Sequence, residues 1–270
     1  MNPLGQETQY PQQYDPSLLF PIARSENRKK QGIGDTLPFR GYDVWRCYEL
    51  SWLTPSGKPV QATGELIVPA DSPNMVESKS LKLYLNSLNQ HRIIDIADAQ
   101  QLIAQELSAI TQSRVLVQLD YLDSGDALQL SKPTGSCLDQ LDVVIEDYLP
   151  KPALLKVDQS RQVEESVYSH LFRSNCPVTQ QPDWGSIQIS YQGAAIAHDS
   201  LLRYLVSFRQ HEGFHEDCAE QIYMDIQKHC APQQLMVAIN FLRRGGIEIN
   251  PVRGNTLAQI EFPAPRLARQ

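Results

Sequence analysis

Tyr84-Leu85-Asn86-Ser87-Leu88-Asn89-Gln90-His91 returns 120 residues later as Tyr204-Leu205-Val206-Ser207-Phe208-Arg209-Gln210-His211, with five identities in eight positions. Matches this dense rarely arise by chance, and the shared Tyr-Leu-x-Ser-(apolar)-x-Gln-His marks one module used twice. Outward from it, Pro59-Val60 mirrors Pro177-Val178, and Gly64 with its following strand mirrors Gly185 with Ser186 to Ser190. Asp147 to Arg161, carrying Pro150 and Pro152, separates the halves. The expected organisation is an N-terminal arm at 1–40, a first module at 41–150 and a second at 151–270.

The arm, with Pro3, Pro11, Pro16, Pro21 and Pro38, reads as extended with little regular structure. Tyr42 to Leu53 and Val60 to Val68 have the β-branched and aromatic content of strands, and the turn Pro55-Ser56-Gly57 between them makes a hairpin. From Ile93 to Ile110 apolar residues recur at three- and four-residue steps, which predicts a helix with one buried face. Val115 to Leu119 reads as a strand. The second half continues through a helix at Ala219 to Cys230 and strands at Leu235 to Phe241 and Gly246 to Ile249; beyond Pro251 no order is assigned.

The composition is that of a soluble globular protein: 270 residues, 41% hydrophobic and 20% charged. A formal net charge of -7 lacks the basic field that holds a protein on nucleic acid or anionic lipid. Five cysteines at irregular spacing, with no CxxC pair, fit a reducing compartment. No basic segment followed by an apolar core opens the chain, and no apolar run approaches the ~18 residues that span a bilayer. A cytoplasmic location without membrane partners is expected.

Four patterns are candidates for chemistry. His211-Glu212-Gly213-Phe214-His215 satisfies HExxH, whose histidines hold zinc when one helical turn separates them. Gly213 inside it costs a helix about 1 kcal/mol, and His91, the counterpart of His211, is followed by nothing metal-binding. A zinc hydrolase or cyclohydrolase using His211 and His215 is the alternative reading. Ser174-Asn175-Cys176-Pro177-Val178-Thr179, with Asp183 before a strand, puts a thiol and an acid on one loop. Cys176 is there either a nucleophile or an inert structural thiol; Cys47, Cys137, Cys218 and Cys230 read as structural. Glu77-Ser78-Lys79-Ser80-Leu81-Lys82-Leu83-Tyr84 reads locally as a capped helix start. Arg243-Arg244-Gly245-Gly246 suits a phosphate or is a solvated turn. No GxGxxG follows a strand, so a Rossmann crevice is excluded.

Together, Glu-Ser-Lys-Ser-x-Lys-Leu-Tyr at 77–84, Ser-Asn-Cys-Pro-Val-Thr at 174–179 with Asp183, Phe-His-Glu at 214–216 and Arg-Arg-Gly-Gly at 243–246 resemble the NADPH-dependent 7-cyano-7-deazaguanine reductases of queuosine biosynthesis, in their long tandem-module form. The resemblance covers nearly the whole chain, including Leu4-Gly5 to Leu19. It implies the α+β tunnelling fold, with two modules of antiparallel sheet backed by helices, and a homodimer. It further implies reduction of a nitrile to a primary amine on a small 7-deazapurine with two NADPH per turnover, before that base enters tRNA.

By that resemblance Cys176 is the nucleophile that forms a thioimide, Asp183 the proton donor and His215 a further relay. Val76, Glu77, Ser78, Phe214, His215 and Glu216 would bind substrate, Glu216 accepting paired N–H groups of a guanine-like edge. Ser78, Lys79, Ser80, Arg244 and Gly245 would contact NADPH, and no metal is expected. At the offset of 120, Ala197-His198-Asp199 stands where the first half has Glu77-Ser78-Lys79, and Ile94-Asp95-Ile96 where the second has Phe214-His215-Glu216. Each half thus keeps one part of the constellation, with Glu77 and Cys176, His215 and Glu216 expected to serve one site per chain.

Overall fold

The computed structural model describes residues 10–124, 130–256, 266–268 and 270; Leu4 and Gly5 lie outside them. Two compact units form, and neither is a single run of chain. The first gathers the described residues up to Arg28, those from Tyr42 to Ser124, and Arg243–Ile249. The second gathers Lys29–Gly41, Leu130–Leu242 and the described residues from Asn250 onward. Against the expected modules, residues 130–150 go with the second unit because their polar groups are satisfied there. Leu138 N–H donates to Tyr168 O, Asp139 accepts from Ser169 and His170, and Tyr148 O accepts from Gln210 N–H.

In the first unit the elements are β1 (Pro21–Ala23), the greater part of α1 (Arg24–Lys30) and of β2 (Arg40–Leu53), β3 (Pro59–Pro69), β4 (Asn74–Val76), α2 (Ser78–Ser87), α3 (Ile96–Thr111) and β5 (Leu116–Tyr121). An antiparallel sheet runs β5-β3-β2, and β1 pairs with β4. The arm is therefore more regular than its prolines suggested, since β1 finds a partner strand and α1 buries Arg24 and Arg28. Helix α3 packs on β5 through Ala99, Ile103, Leu107 and Thr111, buried at four-residue steps. With Trp45, Trp52, Leu66 and Tyr84 they form the core.

The second unit holds β6 (Leu130–Ser131), β7 (Ser136–Cys137), β8 (Val157–Ser169), β9 (Arg173–Asn175), β10 (Pro182–Ile196), α4 (His198–Val206), α5 (His215–Cys230), β11 (Gln234–Phe241), the greater part of β12 (Ile247–Gly254), and β13 (Arg266–Leu267). Its sheet runs β7-β8-β10-β11-β12, with β9 beside the start of β10. Strand β8 begins at Val157, inside the stretch read as a separator, and β12 continues through Pro251 to Gly254, where no order was assigned. Apart from the short parallel pairings of β7 with β8 and of β6 with β13, both units are antiparallel sheet backed by helices, the α+β architecture expected.

The repeat is held by serines. Ser87 Oγ donates to Tyr84 O at 2.6 Å and accepts Asp15 N–H at 3.2 Å; Ser207 Oγ donates to Tyr204 O at 2.6 Å and accepts Lys151 N–H at 3.3 Å. Ser80 and Ser200 likewise donate to Glu77 O and Ala197 O and accept Phe20 and Lys156 N–H. Each clamped segment opens with a 3-10 turn, Pro16–Leu18 or Pro152–Leu154. Residues 15–20 of the arm thus have their counterpart in 151–156, and the duplication reaches further N-terminal than the strands.

Hydrogen bonds also correct the alignment of the halves. Leu53 N–H donates to His91 O and Asn175 N–H to His211 O; Thr54 N–H closes a turn on Lys58 O, and Cys176 N–H closes one on Gln181 O. Thr54 therefore corresponds to Cys176. Pro59, opposite Leu53, matches Pro182, opposite Asn175, not Pro177, and Gly185 falls at the place of Ala62, not Gly64. One residue fewer separates His211 from α5 than His91 from α3, so the cap of α3, Asp95, corresponds to Phe214.

Removing one clamp takes the hydroxyl partner from a backbone amide and a backbone carbonyl. Ser207→Ala is expected to lower stability by about 1–3 kcal/mol, read from the urea midpoint, whereas Ser160→Ala on the exposed start of β8 should change it by less than about 0.5 kcal/mol.

Candidate active site

Cys176 opens the turn between β9 and β10. Its N–H donates to Gln181 O and its carbonyl accepts Gln180 N–H, both at 2.9 Å, while Gln180 takes a left-handed φ of 56°. The thiol is half-buried. Asn175, one residue before it, is tied on both sides: its N–H donates to His211 O at 2.8 Å and its carbonyl accepts Gly213 N–H at 3.1 Å. Gln180 adds a side-chain bond to Glu212. The segment 211–213 therefore straps the cysteine turn to the start of α5. Gly213 lets this segment pass close to His211: a Cβ there would lie 2.7 Å from His211 Nε2, so the imidazole would have to shift.

Asp183 is the second residue of β10, paired in register with Ser174, and is 5% exposed. Its Oδ2 lies 3.3 Å from His215 Nε2, on the first residue of α5. The imidazole stacks on Phe241 with centroids 3.7 Å apart and planes 6° from parallel. Glu216 is buried beside it, and Phe214 is the N-cap residue, giving no side-chain bond to the helix. The second unit thus brings together Asp183 and His215, with Glu216 next on the helix and the Cys176 turn strapped to the same helix start.

The HExxH spacing is not helical. His211 ends a 3-10 turn with extended backbone, and the helix begins only at His215, so the two histidines do not share a helical face. Burial lowers the pKa of His211, which packs edge-on against Phe208. Among the described residues no group of three or more His, Cys, Asp or Glu side chains could hold a metal ion.

The remaining predicted residues lie in the first unit. Glu77, 1% exposed, caps α2: its carboxylate accepts Lys79 N–H at 2.8 Å and Ser80 N–H at 2.7 Å. Val76 is buried at the end of β4, Ser78 opens α2, and the Ser80 hydroxyl is engaged by Phe20 and Glu77. The Arg243–Gly246 turn is left-handed at Gly245 (φ 57°) and Gly246 (φ 72°), where side chains are disfavoured. A Cβ at Gly245 would meet the Lys82 methylenes at 3.3 Å, and one at Gly246 the Glu49 carboxyl at 2.5 Å. Lys82 and Glu49 thus line a small hollow with Gly245 and Gly246. Lys82 was not assigned from sequence, though its three-residue spacing from Lys79 could have placed it. Phe241 carries no local signal at all.

Thiol accessibility separates the cysteines. Burial pushes the Cys47 thiol up to about 12, Cys230 up to about 11, and Cys218 higher still. These stay protonated and inert near neutral pH. Brief iodoacetamide treatment of the native protein at pH 7.5 is expected to alkylate Cys176, with Cys137 the other half-buried thiol. Peptide mass mapping should find Cys47, Cys218 and Cys230 unmodified until denaturant is added.

Two family models match the chain. Residues 10–119 match one described as "Nitrile reductase, 7-cyano-7-deazaguanine-reductase N-term", and residues 182–259 match one described as "QueF-like protein". Among solved structures, an archaeosine synthase QueF-Like in the apo form is similar over 38% of this chain and 99% of its own, at 20% identity and a TM-score of 0.31. The two family models lie in the order of the two halves and together cover well over half of the chain, which belongs to the two-module family of 7-cyano-7-deazaguanine nitrile reductases.

Proposed function

We propose that this protein reduces the nitrile of 7-cyano-7-deazaguanine to the aminomethyl group of 7-aminomethyl-7-deazaguanine, through a thioimide on Cys176 and with two NADPH per turnover. The observation that carries the reading is the buried Asp183 carboxyl held against His215 where the Cys176 turn is strapped to α5.

A nitrile carbon is a weak electrophile, and nucleophilic addition divides its reduction into easier steps. Cys176 sulfur bonds to that carbon, and a proton passes to the nitrogen as negative charge develops there. Asp183 is the donor, and His215 at 3.3 Å returns a proton to it. When bound, NADPH would supply the two hydrides the reduction needs; this chain's part is that Cys176 leaves as thiolate when the C–S bond breaks between them. Two hydrides and two protons balance nitrile to amine. Glu216 accepts the paired N–H groups of the base, with Phe214 against the ring, and Val76, Glu77 and Ser78 complete substrate binding.

The first unit's cation set suits a phosphate-bearing cofactor. Lys82 packs on the glycine turn that follows Arg244; in this reading Lys79, Lys82 and Arg244 would meet the cofactor's phosphates, with Ser78, Ser80 and Gly245 adding polar contacts. Both residue sets serve one reaction in this reading, in a homodimer acting on the free base. A net charge of -7 is consistent with a partner that is not nucleic acid.

Incubation with 7-cyano-7-deazaguanine alone is expected to add the ligand's mass to the Cys176 peptide. Cys176→Ala should abolish both adduct and NADPH oxidation, and Asp183→Asn should slow adduct formation by about 10²-fold or more. NADPH oxidation by Cys176→Ala at the wild-type rate refutes the mechanism. Light scattering is expected to give twice the mass of one chain.

A further inference from the structure

We propose that Phe241 is a positioning residue for His215, holding the imidazole plane in which Nε2 meets Asp183. The inference rests on the reading of His215 as a proton relay, but the geometry behind it does not.

A histidine side chain has two torsions to fix, and its contacts here fix only part of them. Nε2 is held 3.3 Å from Asp183 Oδ2, which restrains one corner of the ring and leaves it free to rotate about that contact. Nδ1 is buried and, among the described residues, has no hydrogen-bond partner, so none of them offers a second polar anchor against the rotation. What defines the plane is the phenyl face of Phe241, 3.7 Å away and within 6° of parallel. A ring turned out of that plane would lose the stack and drive its own edge into the phenyl face.

Phe241 is itself placed with little freedom. It is fully buried at the end of β11, its N–H donating to Asn250 Oδ1 and its carbonyl accepting from Gln270 Nε2. Phe172 meets its edge at 5.9 Å and 74°, and Phe172 in turn packs on Phe208. Gly185, opposite Phe241 in register, leaves the room: a Cβ there would come 3.3 Å from the Phe172 ring. The aromatic row from Phe208 through Phe172 and Phe241 ends on the imidazole, so core packing sets the orientation of a reacting group.

In the wild-type protein, NMR of the ring protons of His215 is expected to show the upfield shift produced by a stacked phenyl ring. Ordinary histidine shifts would overturn the proposal, and this readout needs neither substrate nor cofactor. In Phe241→Leu that shift should vanish, kcat should fall about tenfold, and both KM values should stay within about twofold. Phe241→Tyr, which keeps the ring face, should retain the shift and restore most of kcat. Wild-type kcat in Phe241→Leu, or equal losses in the two variants, would reduce Phe241 to core packing. Loss of the Cys176 adduct with the NMR shift intact would fault the reaction assigned above and leave the stacking standing.

Discussion

Two backbone hydrogen bonds to Asn175, from Gly213 and to His211, are the constraint on which the site depends. They join a hairpin turn to the start of a helix that lies 40 residues further along the chain. Side chains at the tip of a free turn would sample many positions, and ordering each residue costs about 1–2 kcal/mol of conformational entropy. Here the strand pairing of β9 with β10 and the strap at 211–213 supply that order. The Cys176 turn, Asp183 and His215 follow from the same few bonds.

The first unit has the same device without the chemistry. Leu53 is bound by His91 and Ile93 as Asn175 is bound by His211 and Gly213. Yet Thr54 stands in the place of Cys176 and Val60 in that of Asp183. Helix starts diverge as well. Asp95 caps α3 and Glu77 caps α2, whereas Phe214 and Ala197 give α5 and α4 no side-chain cap. The duplicated scaffold tolerates these exchanges because the serine clamps and the strap use buried serine hydroxyls and backbone groups, and so do not depend on which side chain stands at the exchanged positions.

Most of the scaffold was legible because its determinants are local. The hairpin of β2 and β3, the helix stripe of α3 and the repeated Tyr-Leu-x-Ser each express a period or a turn within a few residues. Strand β8 was not legible: most of its outer half, Asp158 to Gln162, is exposed and polar, so no alternation marks it. The cysteine, the acid and the Phe-His-Glu run could be named from motif and order. Their mutual distances could not, and neither could Phe241, which reaches His215 only through strand register. Matching the halves by residue type also misplaced Pro177 and Gly64, because the turn at Cys176 is one residue longer than that at Thr54.

The polar network behind Phe241 gives this part of the fold an all-or-none character. Asn250 Oδ1 accepts Phe241 N–H and Gln270 Nε2, Gln270 Oε1 accepts from Asn240 and Leu267 N–H, and Gln270 Nε2 also reaches Phe241 O. All of these groups are buried. Losing one partner exposes its neighbours to the full desolvation cost of an unmade bond, about 1–3 kcal/mol each. The network therefore resists small displacements more strongly than an apolar contact of the same area would. An imidazole whose Nδ1 has no hydrogen-bond partner among the described residues takes its orientation from a ring whose backbone is fixed on both sides in this way.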